Sequence, residues 1–142
     1  MDYEVPDEPD WFIKPPTSLL DPGVDVGHRS WCDRLTYAGE VAAVVDETCH
    51  DLSVEEDDKT VRGYTILNDL DAVDQPKRTA RKAFDGSAPL GPWIETDVEP
   101  TDLDMTTHVG GGLRQEANTG EMLFAPREIV SFSCQRDPKT QL

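Results

Sequence analysis

The chain has 142 residues, the size of one domain, and carries 29 acidic against 13 basic residues for a formal net charge of −16. A surface of that sign excludes direct binding to nucleic acid, whose phosphates would meet like charge. No apolar run approaches the ~20 residues of a membrane span, and no charged-then-apolar amino terminus marks a signal peptide, so a cytoplasmic protein is expected.

Residues 1–10 are rich in acids and prolines and are expected to form a flexible lead-in. Trp11-Phe12-Ile13 is a short apolar run halted by Pro15-Pro16, so it is extended rather than helical. Asp21-Pro22-Gly23 has turn chemistry. From Thr36 to Val45, Tyr37, Gly39, Val41, Ala43 and Val45 share one strand face, while Ala38, Glu40, Ala42 and Val44 share the other. Both faces are largely apolar, which predicts a central strand. Ser53-Val54-Glu55-Glu56 has the form of a capping box and predicts a short helix toward Val61, ended by Gly63. Tyr64–Leu67 is a second β-prone run that delivers Asn68-Asp69 at its end, and residues 71–83 read as a surface loop. Trp93-Ile94 reads as a further short strand. Leu103, Met105, Thr107 and Val109 alternate with polar residues before Gly110-Gly111-Gly112, which predicts a hairpin with Leu113-Arg114-Gln115. Pro126 suits the first turn of a helix carrying Ile129, Val130 and Phe132.

The whole predicts an α+β, mainly β, domain with short helices. Its 37% hydrophobic content supports a core, and five Lys against 18 Asp and 11 Glu fit a halophilic, salt-rich cytoplasm that screens self-repulsion. Cys32, Cys49 and Cys134 are odd in number and widely spaced, so buried thiols are expected in place of disulfides. With His28, His50 and His108 they lack zinc spacing.

Ionisable groups in apolar settings carry the chemistry. Glu40 projects from an apolar strand face, where a lone carboxylate must be paired, protonated or bound to a cation. Asp69 follows a β-prone run, and Lys82 precedes Ala83-Phe84. Carboxylates converging from neighbouring strands suit a hard divalent ion, although on spacing alone a paired buried carboxylate or a solvated strand end is the better explanation. Asp57-Asp58 and the Asp71/Asp74 pair read as solvated charges, and the three glycines at 110–112 read as a turn without a phosphate-binding Lys.

Five blocks carry a resemblance. They are Phe12-Ile13-Lys14-Pro15-Pro16-Thr17-Ser18-Leu19, Tyr37-Ala38-Gly39-Glu40-Val41-Ala42-Ala43-Val44-Val45 and Gly63-Tyr64-Thr65-Ile66-Leu67-Asn68-Asp69, then residues 82–93 and residues 114–124. In order and spacing the chain resembles the fumarylacetoacetate hydrolase family over most of residues 11–135. The resemblance implies an incomplete fumarylacetoacetase-like mixed β-sheet roll, with residues 11–142 a partial catalytic domain. It implies action on an acylpyruvate or other 2-oxo acid by C–C bond hydrolysis, isomerisation or lysis, with Mg2+ or Mn2+ as cofactor. By the same resemblance Glu40 and Asp69 hold the metal, Lys82 is the catalytic ammonium, and Asn118 and Thr119 bind the substrate carboxylate. The family's first metal-binding Glu falls on Ala38, and its Arg after Asn-Asp falls on Val73. Its Gly-Thr-Pro segment is missing before the chain ends near Leu142, and His28 takes no catalytic role. These departures set an inactive shortened paralogue, an assembly partner at most, against the enzyme. The family commonly forms dimers, and open strand edges favour a homodimer here.

Overall fold

The computed structural model describes residues 5–49, 53 and 60–136. In chain order its elements are β1 (Leu19–Leu20), β2 (Leu35–Val45), β3 (Val61–Ala72), α1 (Arg78–Lys82), β4 (Ala88–Pro89), β5 (Asp104–Val109), β6 (Gly112–Asn118) and α2 (Pro126–Arg136). The fold is mainly β, with short helices at its margins. Among the described residues no helix is long and apolar enough to cross a membrane.

An antiparallel ribbon of β2 and β3 forms the centre, with Ala38 opposite Asp69, Gly39 opposite Asn68 and Glu40 opposite Leu67. Strand alternation gives this ribbon two distinct faces. One carries Ala38, Glu40, Leu67, Asp69 and Asp71. The other carries Gly39, Val41, Ala43, Tyr64 and Ile66.

The free edge of β3 is taken by the chain that follows α1. Leu70 N–H donates to Ser87 O at 3.0 Å, Gly91 N–H donates to Ile66 O at 2.7 Å, and Tyr64 and Glu95 exchange two backbone bonds of 2.8 Å. Outside this segment, β4 pairs in parallel with β1. The strand flanked on both edges is therefore β3, and the predicted central strand, β2, lies at the ribbon's margin.

The β5–β6 hairpin covers the second face of the ribbon at Gly39. A Cβ on Gly39 would fall 2.6 Å from Thr107 Oγ1, so only glycine permits this approach. The Gln115 side chain then caps the open edge of β2: its amide accepts from Gly39 N–H at 2.8 Å and donates to Gly39 O at 2.9 Å. At the hairpin's tip Gly110 and Gly111 adopt φ of 59° and 78°, the left-handed pair that a two-residue connection requires.

Several expectations change. Gly63 does not end a helix; it lies inside β3, in close contact with the Glu95 backbone. The capping box before it falls mostly outside the described residues. Asn68 and Asp69 sit within β3 and not at its end, because the strand runs on to Ala72. Residues 71–83 contain α1, and Trp93-Ile94 forms only the approach to the bridge at Glu95. The Asp21–Gly23 turn, the β5–β6 hairpin and α2 stand where expected.

Cys49 and Cys134 form a disulfide, against the expectation of thiols, while Cys32 stays free and buried. The bond joins the chain just after β2 to α2 across 85 residues, with the Cα atoms 5.4 Å apart. The two cysteines meet only in the folded chain, far apart in sequence. Among the described residues the buried apolar side chains include Tyr64, Leu70, Ala72, Ala88, Pro100 and Val130 with Cys32 and Cys134, and Trp93 stays 70% exposed.

Candidate functional site

The first face of the ribbon gathers charge. The Asp69 side chain, 3% exposed, lies between two ammonium groups: Lys14 Nζ is 2.9 Å from Oδ1, and Lys82 Nζ donates to Oδ2. Each lysine arrives for a local reason. Pro15 and Pro16 hold the strap before β1 extended, and Ser18 N–H closes a 3₁₀ turn on Pro15 O at 2.8 Å. The strap thus lays Lys14 across the site. There its ammonium donates to Lys82 O at 2.6 Å, Ser87 O at 3.0 Å and Ser87 Oγ at 2.9 Å. Lys14 is an anchor whose donors are spent on the chain. Lys82 comes from the end of α1 and sits 5.2 Å from the centroid of the Phe12 ring.

Burial works against the Lys82 charge, but the hydrogen bond and charge of Asp69, with Asp71 behind it, outweigh burial and raise its pKa above the ordinary value. The ammonium therefore stays protonated at neutral pH. Glu40 has the opposite problem. Protein packed around its carboxyl group and the nearby charge of Asp69 raise its pKa, and Lys82 and Lys14 offset only part of this. As a residue Glu40 is still exposed, and solvent contact limits the effect.

Asp71 is not a solvated charge. It is buried and takes a bidentate bond from Arg81, Nε to Oδ1 at 2.8 Å and Nη2 to Oδ2 at 2.5 Å, with Lys82 Nζ 3.3 Å from Oδ2. The hydrogen bond from Arg81, followed by the Lys82 charge, holds its carboxyl below the usual range. Arg81 thus brings a guanidinium to this region from α1. Asp74 accepts from Asp33 N–H at 3.1 Å and from Cys32 Sγ at 3.4 Å, pinning the chain before β2.

Glu40, Asp69 and Lys82 are brought together as the sequence suggests. Asn118 and Thr119 line an open cleft of about 460 Å³ together with Glu40, Val41, Tyr64 and Met105, whereas Asp69 and Lys82 do not line it, so Glu40 is the residue common to both groups. The Asn118 side chain is fully engaged: its oxygen accepts from Gly120 N–H at 2.7 Å, and its NH2 donates to Asp102 at 3.0 Å and Asp104 at 2.8 Å. Thr119 Oγ1 accepts from Leu103 N–H at 2.8 Å, which leaves its own hydroxyl proton to donate.

Among the described residues no group of three or more His, Cys, Asp and Glu is arranged around a metal position. Ala38, directly across from Asp69, leaves a methyl where a third carboxylate would stand. Two carboxylates, Glu40 and Asp69, remain on this face. Both are hard oxygen donors of the kind that Mg2+ or Mn2+ takes with water and substrate oxygens. In this arrangement both Asp69 oxygens face ammonium groups, so an ion would have to share Asp69 with Lys14 and Lys82.

Lys14, Asp71, Arg81 and Gln115 belong to this region without a predicted role. A Lys directly before two prolines was the available signal for Lys14. No local signal marks the other three, because their partners lie on elements distant in sequence.

The model of the fumarylacetoacetate hydrolase C-terminal region matches residues 1–138. An uncharacterized protein of Methanocaldococcus jannaschii is 32% identical over 136 residues, covering 93% of this chain and 57% of that one. The oxaloacetate tautomerase YisK of Bacillus subtilis is 33% identical over 135 residues, covering 89% and 45%. The crystal structure of a 2-hydroxyhepta-2,4-diene-1,7-dioate isomerase from Mycobacterium marinum superposes with a TM-score of 0.84 at 35% identity, covering 87% of this chain and 50% of that one. The chain therefore spans about half the length of the proteins it matches. A match of the family model over residues 1–138 places the chain in the fumarylacetoacetate hydrolase family.

Proposed function

We propose that the chain acts on an acylpyruvate or other 2-oxo acid as a metal-dependent C–C bond hydrolase, or as a related isomerase or lyase. One observation carries this reading: a protonated Lys82 ammonium fixed on buried Asp69, with Glu40 beside it. A relative named as an oxaloacetate tautomerase and a neighbour named as a heptadienedioate isomerase support the substrate class.

In this reading Glu40 and Asp69 would hold Mg2+ or Mn2+, and the ion would supply Lewis-acid polarisation of the oxo-acid carbonyl. Lys82 Nζ keeps its proton throughout and faces the negative charge that develops on the substrate oxygen as an enolate forms. It serves as a fixed charge, because its raised pKa makes it a poor base. In the hydrolytic case water adds to the acyl carbon while the electron pair of the broken C–C bond passes to the enolate, which is then protonated. The Thr119 hydroxyl donates to the substrate carboxylate, and Asn118 holds the turn that presents it. The open edge of β2 and the exposed apolar surface favour a homodimer.

Turnover of acylpyruvates and tautomerisation of oxaloacetate, measured with millimolar Mg2+ or Mn2+, test the proposal. We expect metal-dependent turnover that falls about 10²–10³-fold in Lys82→Met, the loss typical of one oxyanion donor. A second reading, an inactive assembly partner, draws support from Ala38 opposite Asp69. Folded protein without turnover on any of these substrates would favour that reading and sink the first.

A further inference from the structure

We infer that Asp71 and Arg81 form a latch that positions the Lys82 ammonium on Asp69. The inference rests on Lys82 as the working ammonium of the proposed site. Three features of the fold lead to it.

Helix α1 has only five residues, and no side chain caps its amino end at Lys77. A helix this short does not sustain itself. Something in the tertiary structure must hold it. Its last turn presents Arg81 and Lys82 in succession, and β3 presents Asp69 and Asp71 two residues apart on one face. The match is two cations from a helix end to two carboxylates on a strand.

Asp71 joins the two cations. Its Oδ2 lies 2.5 Å from Arg81 Nη2 and 3.3 Å from Lys82 Nζ, so one buried oxygen serves both. Arg81 commits two nitrogens to this carboxylate in the forked geometry that best fixes orientation. Lys82 has a flexible stem and depends on its surroundings for position.

Charge balance gives the latch a further purpose. Without Arg81, the carboxylates of Glu40, Asp69 and Asp71 outnumber the ammonium groups of Lys14 and Lys82. Arg81 evens the count in the metal-free site. Arg81 and Asp71 are positioning residues and need touch no substrate.

The experiment labels the folded, metal-free protein with an amine-reactive reagent and reads each lysine by peptide mass, with exposed Lys77 as the internal standard. Lys82 should label more slowly than Lys77 in the wild type. Arg81→Gln should raise Lys82 labelling several-fold, and Arg81→Lys should restore part of the protection. The charge swap Asp71→Arg with Arg81→Asp separates positioning from simple tethering. It should return hydrogen-exchange protection to α1 yet leave Lys82 reactive, since position 71 no longer offers an oxygen to the ammonium. If the swap does not fold, Asp71→Asn replaces it and should also expose Lys82. Unchanged Lys82 labelling in Arg81→Gln or Asp71→Asn overturns the inference, as does wild-type labelling in the swap. Inactivity on every oxo acid, with labelling as expected, would sink the proposed function and leave the latch standing.

Discussion

At the scale of single residues, the site is a problem of like charges solved unequally. Asp69 is buried and meets two ammonium groups, whereas Glu40 meets the charge of Asp69 with weaker compensation. The pKa of Glu40 lies above its usual 4.5, so the folded state favours the protonated form. The linkage has a definite sign: Glu40 favours folding below pH 4.5 and loses that contribution as pH rises through its raised pKa. Glu40→Gln should therefore make the protein more stable than wild type near neutrality and little different below about pH 4. Urea midpoints at the two pH values check this, and a variant less stable near neutrality would contradict it. The sequence already singled out Glu40, Asp69 and Lys82 as ionisable groups in apolar company. It read Asp71 as solvated, because an aspartate in a polar stretch carries no mark of the arginine ten residues later that will cover it.

At the scale of elements, legibility followed local chemistry. Alternation and two left-handed glycines made the β5–β6 hairpin readable, and proline at its start announced α2. Helix α1 was not readable, because it has five residues, no cap, and ion pairs to β3 in place of an apolar stripe. The length of β3 was hidden by Gly63, whose absence of a side chain reflects the close passage of Glu95 and not a helix end. The docking of the hairpin onto β2 depends on Gly39 in the same way. Gly39→Ala would place a methyl 2.6 Å from Thr107 Oγ1, beside the Gln115 amide that caps the strand edge. We expect a loss of about 1–3 kcal/mol from the overpacking. Thr107→Ala, which removes the obstructing oxygen, should recover part of it, so the double-mutant cycle in chemical denaturation should be clearly non-additive. Additive costs would show that the hairpin approaches β2 by another route.

At the scale of the whole molecule, a chain of net charge −16 draws Lys14, Lys82 and Arg81 to one patch of one ribbon. Screening confines the effect of distant carboxylates to roughly 8 Å at physiological salt, so these cations and their partners set the local field. The disulfide between Cys49 and Cys134 was invisible at 85 residues' separation, since only the folded chain brings the two cysteines together. The measurement that bears most directly on the account is a Mn2+ titration followed by the ion's magnetic resonance signal, with oxalate present as a stable mimic of a pyruvate enolate. We expect binding by wild type at millimolar metal, loss of binding in Glu40→Gln, and about tenfold tighter binding in Ala38→Glu, which adds a carboxylate across from Asp69. Equal binding by wild type and Glu40→Gln, or no binding by folded Ala38→Glu, would contradict it.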